Sequence, residues 1–290
     1  MRLTAKLWTR LPSNLHYRGD PTAWTQLTRP GLHLHSFLEG ACFDEDGALW
    51  LVDVPHGRLL RTDGSQWDVQ YQYDGEPHGL ARAPGQSRWI VSDHRHGLLE
   101  WNGAAHRVIC DAYQGAPFLG LNHVIMTSSG DVWFSDCGRS SHADPSGALY
   151  RYGGDGSIER ICGGIAYPNG LALSEDGEQL FLAVTRANQV WTMQTAPVPH
   201  GSPMIGTFLN LSGGLGPDGL SVSGTGLLAV AQARAGCVWV FDAFGERVAT
   251  IQVTGGTWTT DCVFGPDGQL YIIEAQQGAV HRCDLSGLES

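Results

Sequence analysis

Two carboxylates and two carboxamides, Glu39, Asn122, Asn169 and Asp218, head short apolar runs in this chain: "EGACF", "NHVIM", "NGLAL" and "DGLSV". Brought to one point, they would present oxygens carrying two negative charges. Such a set suits a hard divalent cation, Ca²⁺ first, with Mg²⁺ or Mn²⁺ compatible and Zn²⁺ less natural without an inner His or Cys. A plainer reading stands beside this one, because Pro168-Asn169-Gly170 and Pro217-Asp218-Gly219 are also ordinary turn chemistry. Glutamate has no such advantage in a turn. Glu39 before Gly40 leaves a carboxylate that must be paired, solvated or bound to metal.

Whether these groups meet depends on the elements that carry them. Six segments share one plan: a polar residue, a short apolar strand, a Gly-containing turn, a second strand, a loop and a third strand. The leading polar residues are Glu39, His78, Asn122, Asn169, Asp218 and Asp261, spaced by 39, 44, 47, 49 and 43 residues. That period is the length of one propeller blade. The chain is therefore expected to be all-β, a six-bladed β-propeller with four-stranded antiparallel blades, since radial closure leaves few sheet edges exposed. A β-sandwich requires no such period. One domain over 1–290 is expected, with the six repeats at 37–284. The first 36 residues have no repeat of their own and are read as partly closing the last blade by supplying its outer strand. The stretch "RSSHADPSGALYRYGG" in the third repeat reads as a loop between second and third strands. In this architecture the first strand of every blade lines the central channel, so the polar column converges.

Composition narrows the partners. The 290 residues include 39 glycines, and the net charge of −11 is spread without blocks of like charge. An acidic field repels nucleic acid and anionic membrane, and a small substrate, neutral or cation-assisted, fits better. No apolar run is long enough to span a bilayer, and a soluble, cytoplasmic chain is expected. Seven cysteines without a Cys-x-x-Cys pair match reduced, buried thiols better than a disulfide framework or a zinc site. No Gly-x-Ser-x-Gly elbow, P-loop or dinucleotide fingerprint occurs. The oligomeric state is left open.

At these residues the chain resembles the senescence marker protein, gluconolactonase and luciferin-regenerating enzyme family of six-bladed propellers, which includes regucalcin. "LEGACFDEDGALWLVD" looks like its opening Glu-Gly-Pro segment, "YPNGLALSEDG" its Pro-Asn-Gly segment and "GPDGLSVSGTGLLAVA" its Asp-Gly segment. The resemblance implies one divalent metal ion held by Glu39, Asn169 and Asp218, with Asn122 as fourth ligand or as a contact to water or substrate. It also implies hydrolysis of a lactone, the metal acting as Lewis acid on the carbonyl and lowering the pKa of a water. Asp218 is then the candidate general base, and Asn122 the group that meets the developing oxyanion or holds the water. A phosphotriesterase-type hydrolase, or a propeller binding a small molecule or protein without turnover, are the alternatives, because fold alone does not decide activity. Two departures matter. The family often shows Arg-x-Asn-Asp where this chain reads Gly120, Leu121, Asn122, His123, which implies a less polar substrate, and Ala41 replaces a proline after Glu39-Gly40.

Three further residues are candidate substrate contacts: His78, which belongs to the column, His123, which neighbours Asn122, and Asp261, the sixth member of the column. His94 and His96 share one face of an extended segment but fall in a loop, where solvation suffices. Asp53, Asp93 and Asp136 recur at second-strand ends and are read as ties to neighbouring loops. Trp50, Trp89, Trp133, Phe181 and Tyr271 are read as packing between blades.

Overall fold

The structure is a computed structural model that describes residues 1–82, 88–196 and 203–288. The Gly-containing turn of the second repeat, at 83–87, lies outside the described residues. Six sheets are arranged around a central axis as a β-propeller. The innermost strands are Leu38–Phe43, Pro77–Arg82, Leu121–Met126, Pro168–Leu173, Gly216–Val222 and Thr259–Phe264. Each is followed outward by antiparallel neighbours.

The two ends of the chain meet in the last blades. Lys6–Arg10 pairs antiparallel with Ala279–Cys283 and is the outer strand of the sixth blade. Arg2–Thr4 then adds a fifth strand to the fifth blade, parallel to Arg247–Gln252. In the third repeat the loop is shorter than the sequence suggested. Gly147–Tyr152 is the third strand itself, with Leu149 packed toward the fourth blade and Ala148 and Tyr150 toward the second. Its two-residue alternation serves two interfaces at once.

Among the described residues the core is six clusters, each drawn mainly from two neighbouring blades. Trp50 and Trp89, from adjacent blades, have ring centroids 4.5 Å apart. Both faces of every blade are thus buried, which explains second strands such as "LWLVD", apolar from Leu49 to Val52 before the closing aspartate. The one α-helix among the described residues, Ala23–Thr28, is capped by Thr22 and inserts Trp24 into the cluster between the first two blades.

Candidate active site

Every innermost strand carries an irregularity at its opening. The register shifts fall at Glu39/Cys42, Pro77/Gly79, Leu121/Val124, Pro168/Leu171, Pro217/Leu220 and Thr259/Asp261. One extra residue on the inner strand makes each a β-bulge, a device that re-aims a side chain. The Asn-Gly and Asp-Gly pairs thus lie within bulged strands and not in turns. Gly170 has a separate reason: a Cβ there would stand 2.1 Å from the Asp218 carbonyl oxygen of the next blade. At this position the two strands come too close for any side chain.

Three second-strand aspartates fix the approach to the column. Asp53 accepts from the Phe37 amide at 2.8 Å, Asp93 from Glu76 at 2.8 Å and Asp136 from Gly120 at 2.8 Å. Each amide lies two residues before the column residue of its blade, Glu39, His78 or Asn122. Asp53 is itself held by the buried guanidinium of Arg58.

Glu39, His78, Asn122, Asn169 and Asp218 line one cavity of about 330 Å³. The imidazole Nδ1 of His78 lies 2.8 Å from Glu39 Oε2 and donates to it in the corresponding tautomer. Asn169 Nδ2 donates to Thr185 Oγ1 at 3.2 Å, and that hydroxyl donates to the Pro217 carbonyl at 2.7 Å. Asn122 Nδ2 points its hydrogen at Cys137 Sγ, 3.6 Å away. Each carboxamide therefore commits one amide hydrogen to the wall, which leaves its oxygen and its second amide hydrogen.

Burial and mutual repulsion shape the charges. Burial pushes Glu39 up to about 8, against the opposing pull of Arg29. Asp218 is raised well above the usual carboxylate range by burial, then by Glu39 and Asp261, with a hydrogen bond from Asn169 opposing. Desolvation takes His78 down to about 4, so it is a neutral hydrogen-bonding group. Among the described residues no three His, Cys, Asp or Glu side chains are spaced to hold a metal. A cation here would have to rely on two carboxylates completed by carboxamide oxygens. The donor chemistry fits a hard divalent ion: two anionic groups disfavour each other's ionisation in a buried pocket, and a double positive charge between them would relieve that.

Two expected substrate contacts are not brought to this cavity. His123 and Asp261 line a second cavity, of about 280 Å³. His123 Nδ1 accepts from the Leu171 amide at 3.3 Å, consistent with strand alternation turning it away from Asn122. Asp261 uses its oxygens on the amides of Ala41, at 2.7 Å, and Cys262, at 2.8 Å. Its carboxylate closes the gap between the sixth and first blades.

Other residues enter that the repeat pattern did not single out. Arg29, Trp24, Trp258, Tyr167 and His94 all line the main cavity. Trp24 and Arg29 come from the non-repeating first segment, and Tyr167 holds a positive φ of 67° just before Pro168-Asn169. His94 is half-buried, with its pKa lowered to about 4 by desolvation first and by His78 second, whereas His96 turns to the Asp74 carbonyl. His94 also explains Gly120, whose φ is 146° and whose Cβ, if present, would stand 2.2 Å from the imidazole Cε1. No side chain at position 120 has room beside it.

A family model described as "SMP-30/Gluconolactonase/LRE-like region" matches residues 37–276. A gluconolactonase of Zymomonas mobilis is 26% identical over 251 residues, 80% of this chain and 70% of that protein. A pentonolactonase of Haloferax volcanii is 28% identical over 244 residues, 80% of this chain and 78% of that one. Among solved structures, a calcium-binding protein, regucalcin, from Agrobacterium tumefaciens superposes with a TM-score of 0.74 at 20% identity, covering 97% of this chain and 93% of that one. This last likeness is one of fold.

Proposed function

The chain belongs to the SMP-30/gluconolactonase/LRE-like family, and from that premise we propose that it is a divalent-metal-dependent lactonase. The observation that carries the reading is the lining of one cavity by two partly buried carboxylates and two buried, braced carboxamides from four different blades. Curated relatives bearing the names gluconolactonase and pentonolactonase support lactone hydrolysis as the reaction class.

Glu39, Asn169, Asp218 and Asn122 would hold the ion, Ca²⁺ first, with Mg²⁺, Mn²⁺ or Zn²⁺ as alternatives. When bound, it supplies Lewis-acid polarisation of the ester carbonyl and acidifies a water. The chain's own residues do the rest. Asp218 takes the proton of the attacking water; burial beside Glu39 raises its proton affinity, the property a general base needs. Asn122 donates its second amide hydrogen to the oxygen on which negative charge develops, or holds the water. His78 keeps Glu39 in one orientation through the 2.8 Å hydrogen bond. Trp24, Phe37 and Trp258 wall the cavity and exclude bulk water, which strengthens every electrostatic contact inside.

The test is a pH-indicator screen of lactones with each metal in turn, on the wild type and on Asp218→Asn. The variant is expected to keep its fold and lose turnover. Undiminished hydrolysis by it would overturn the role of Asp218. Absence of hydrolysis and of metal-induced stabilisation in the wild type would overturn the enzyme reading itself.

A further inference from the structure

The arginines of the cavity are not explained by metal binding or by proton transfer. Arg29, Arg139 and Arg186 line it, and none has an ion-pair partner among the described residues. Elsewhere Arg58, Arg61, Arg95 and Arg151 all pair with carboxylates. Arg139 and Arg186 are exposed at the rim, while Arg29 is half-buried.

Arg29 is held in place by aromatic rings. Its guanidinium carbon lies 3.7 Å from the ring centroid of Trp258 and 4.9 Å from that of Phe37. Stacking on an aromatic face stabilises the cation and leaves the hydrogen-bonding edge of the guanidinium for a planar acceptor. That edge is under-used: Nη1 donates to the neighbouring Thr28 carbonyl at 2.9 Å, and Nε is buried with no partner. An unsatisfied buried donor is costly, so a ligand that pairs it gains more than one meeting a solvated arginine. The acids lining the cavity, Glu39, Glu76 and Asp218, balance these three arginines. A divalent ion on Glu39 and Asp218 would leave positive charge in excess, which an anionic ligand reduces. The strand carrying Asn122 supplies no cation, because His94 fills the space against Gly120.

We propose that Arg29 reads the substrate by pairing a carboxylate remote from the ester, so that the substrate class is a lactone bearing a free carboxylate and not the less polar one that the missing arginine beside Asn122 implied. This rests on the lactonase reading above. Arg29 is then a specificity residue delivered by the non-repeating segment onto a cavity built by the blades.

The experiment compares D-glucaro-γ-lactone with D-glucono-γ-lactone, which differ only in a terminal carboxylate or hydroxymethyl group, on the wild type, Arg29→Gln and Arg29→Lys. Loss of a charge-assisted, two-point contact is expected to raise KM for the carboxylate-bearing lactone roughly 10- to 100-fold in Arg29→Gln. KM for the neutral lactone is expected to rise far less, so that the ratio of the two KM values moves roughly 10-fold or more, and Arg29→Lys, which keeps charge but not the planar fork, to fall between. Melting temperatures identify a variant that fails to fold, and Arg29→Lys then carries the comparison. Calorimetric titration of D-glucarate gives a second readout that needs no turnover, with binding weakened in Arg29→Gln. Arg29-dependent glucarate binding without hydrolysis of any lactone would remove the lactonase reading and leave the Arg29 assignment. Equal effects on both lactones, or no glucarate binding by the wild type, would overturn the assignment.

Discussion

Gly170→Ala tests whether the spacing between blades sets the geometry of the site. A Cβ at this position would stand 2.1 Å from the Asp218 carbonyl oxygen and 2.9 Å from both Gly219 Cα and Leu220 N, whereas ordinary contact begins at 3.4 Å. The obstacle is backbone, which has no rotamer to yield, so the fourth and fifth blades must part by roughly 1 Å at the axis. Overpacking of this kind costs about 1–3 kcal/mol, which for 290 residues is a melting-temperature fall of roughly 2–5 °C. The functional loss is expected to be larger, because Asn169 and Asp218 sit on either side of the displaced contact. Misplacement of a reacting constellation by 1 Å costs on the order of 100-fold in rate. Thermal melts and kcat/KM on a hydrolysed lactone, each with and without Ca²⁺, measure the two effects separately. Gly224→Ala is the control, since nothing lies within 4 Å of its Cβ position. A Gly170→Ala protein with wild-type stability and rate would refute the packing argument. One that is destabilised but fully active would refute the link from blade spacing to chemistry.

Metal removal gives a second test: dialysis against EDTA is expected to lower the melting temperature, and Ca²⁺ at about 100 times its Kd to restore roughly 4 °C. A melt indifferent to EDTA and to added divalent ions argues against the four-oxygen site. A third concerns Asp44. Burial raises its pKa, but hydrogen bonds from Trp50, Arg61 and the Ala48 amide outweigh burial and hold it below its ordinary 3.8. Unfolded chains therefore take up this proton first as pH falls, and stability present above 3.8 is lost as pH drops through the folded value. In urea melts, Asp44→Asn is expected to be less stable than the wild type near neutrality, with the gap closing in acid. A gap that stays constant down to about pH 2.5 would show that the charge contributes nothing.

The propeller is legible in the chain because its signal is repeated six times. Glu39, His78, Asn122, Asn169, Asp218 and Asp261 recur at one blade length, and each apolar second strand declares that both its faces are covered. The family match over residues 37–276 spans the same repeats. Convergence of Glu39, Asn122, Asn169 and Asp218 on one cavity follows from radial symmetry, which periodicity encodes. Periodicity does not encode partners. Asp261 reads as the sixth member of the column, but Thr259 pairs with Glu274 as Leu38 pairs with Asp53, which puts Thr260 at the column position and turns Asp261 to the amides of Ala41 and Cys262 across the closing seam of the ring. The Asn-Gly and Asp-Gly pairs also read as turns, because a glycine required by a neighbouring strand looks the same as one required by a bend. Gly120 and His94 are 26 residues apart in the numbering, and only their contact in space explains why position 120 is bare. Arg29 had no repeat to betray it. It stacks on Trp258 from the far end of the chain, so its place over the cavity was decided by tertiary packing alone. Local pattern sets which strands form and which residues open them, while long-range sterics and the pairing of buried polar groups choose which of those residues are left for chemistry.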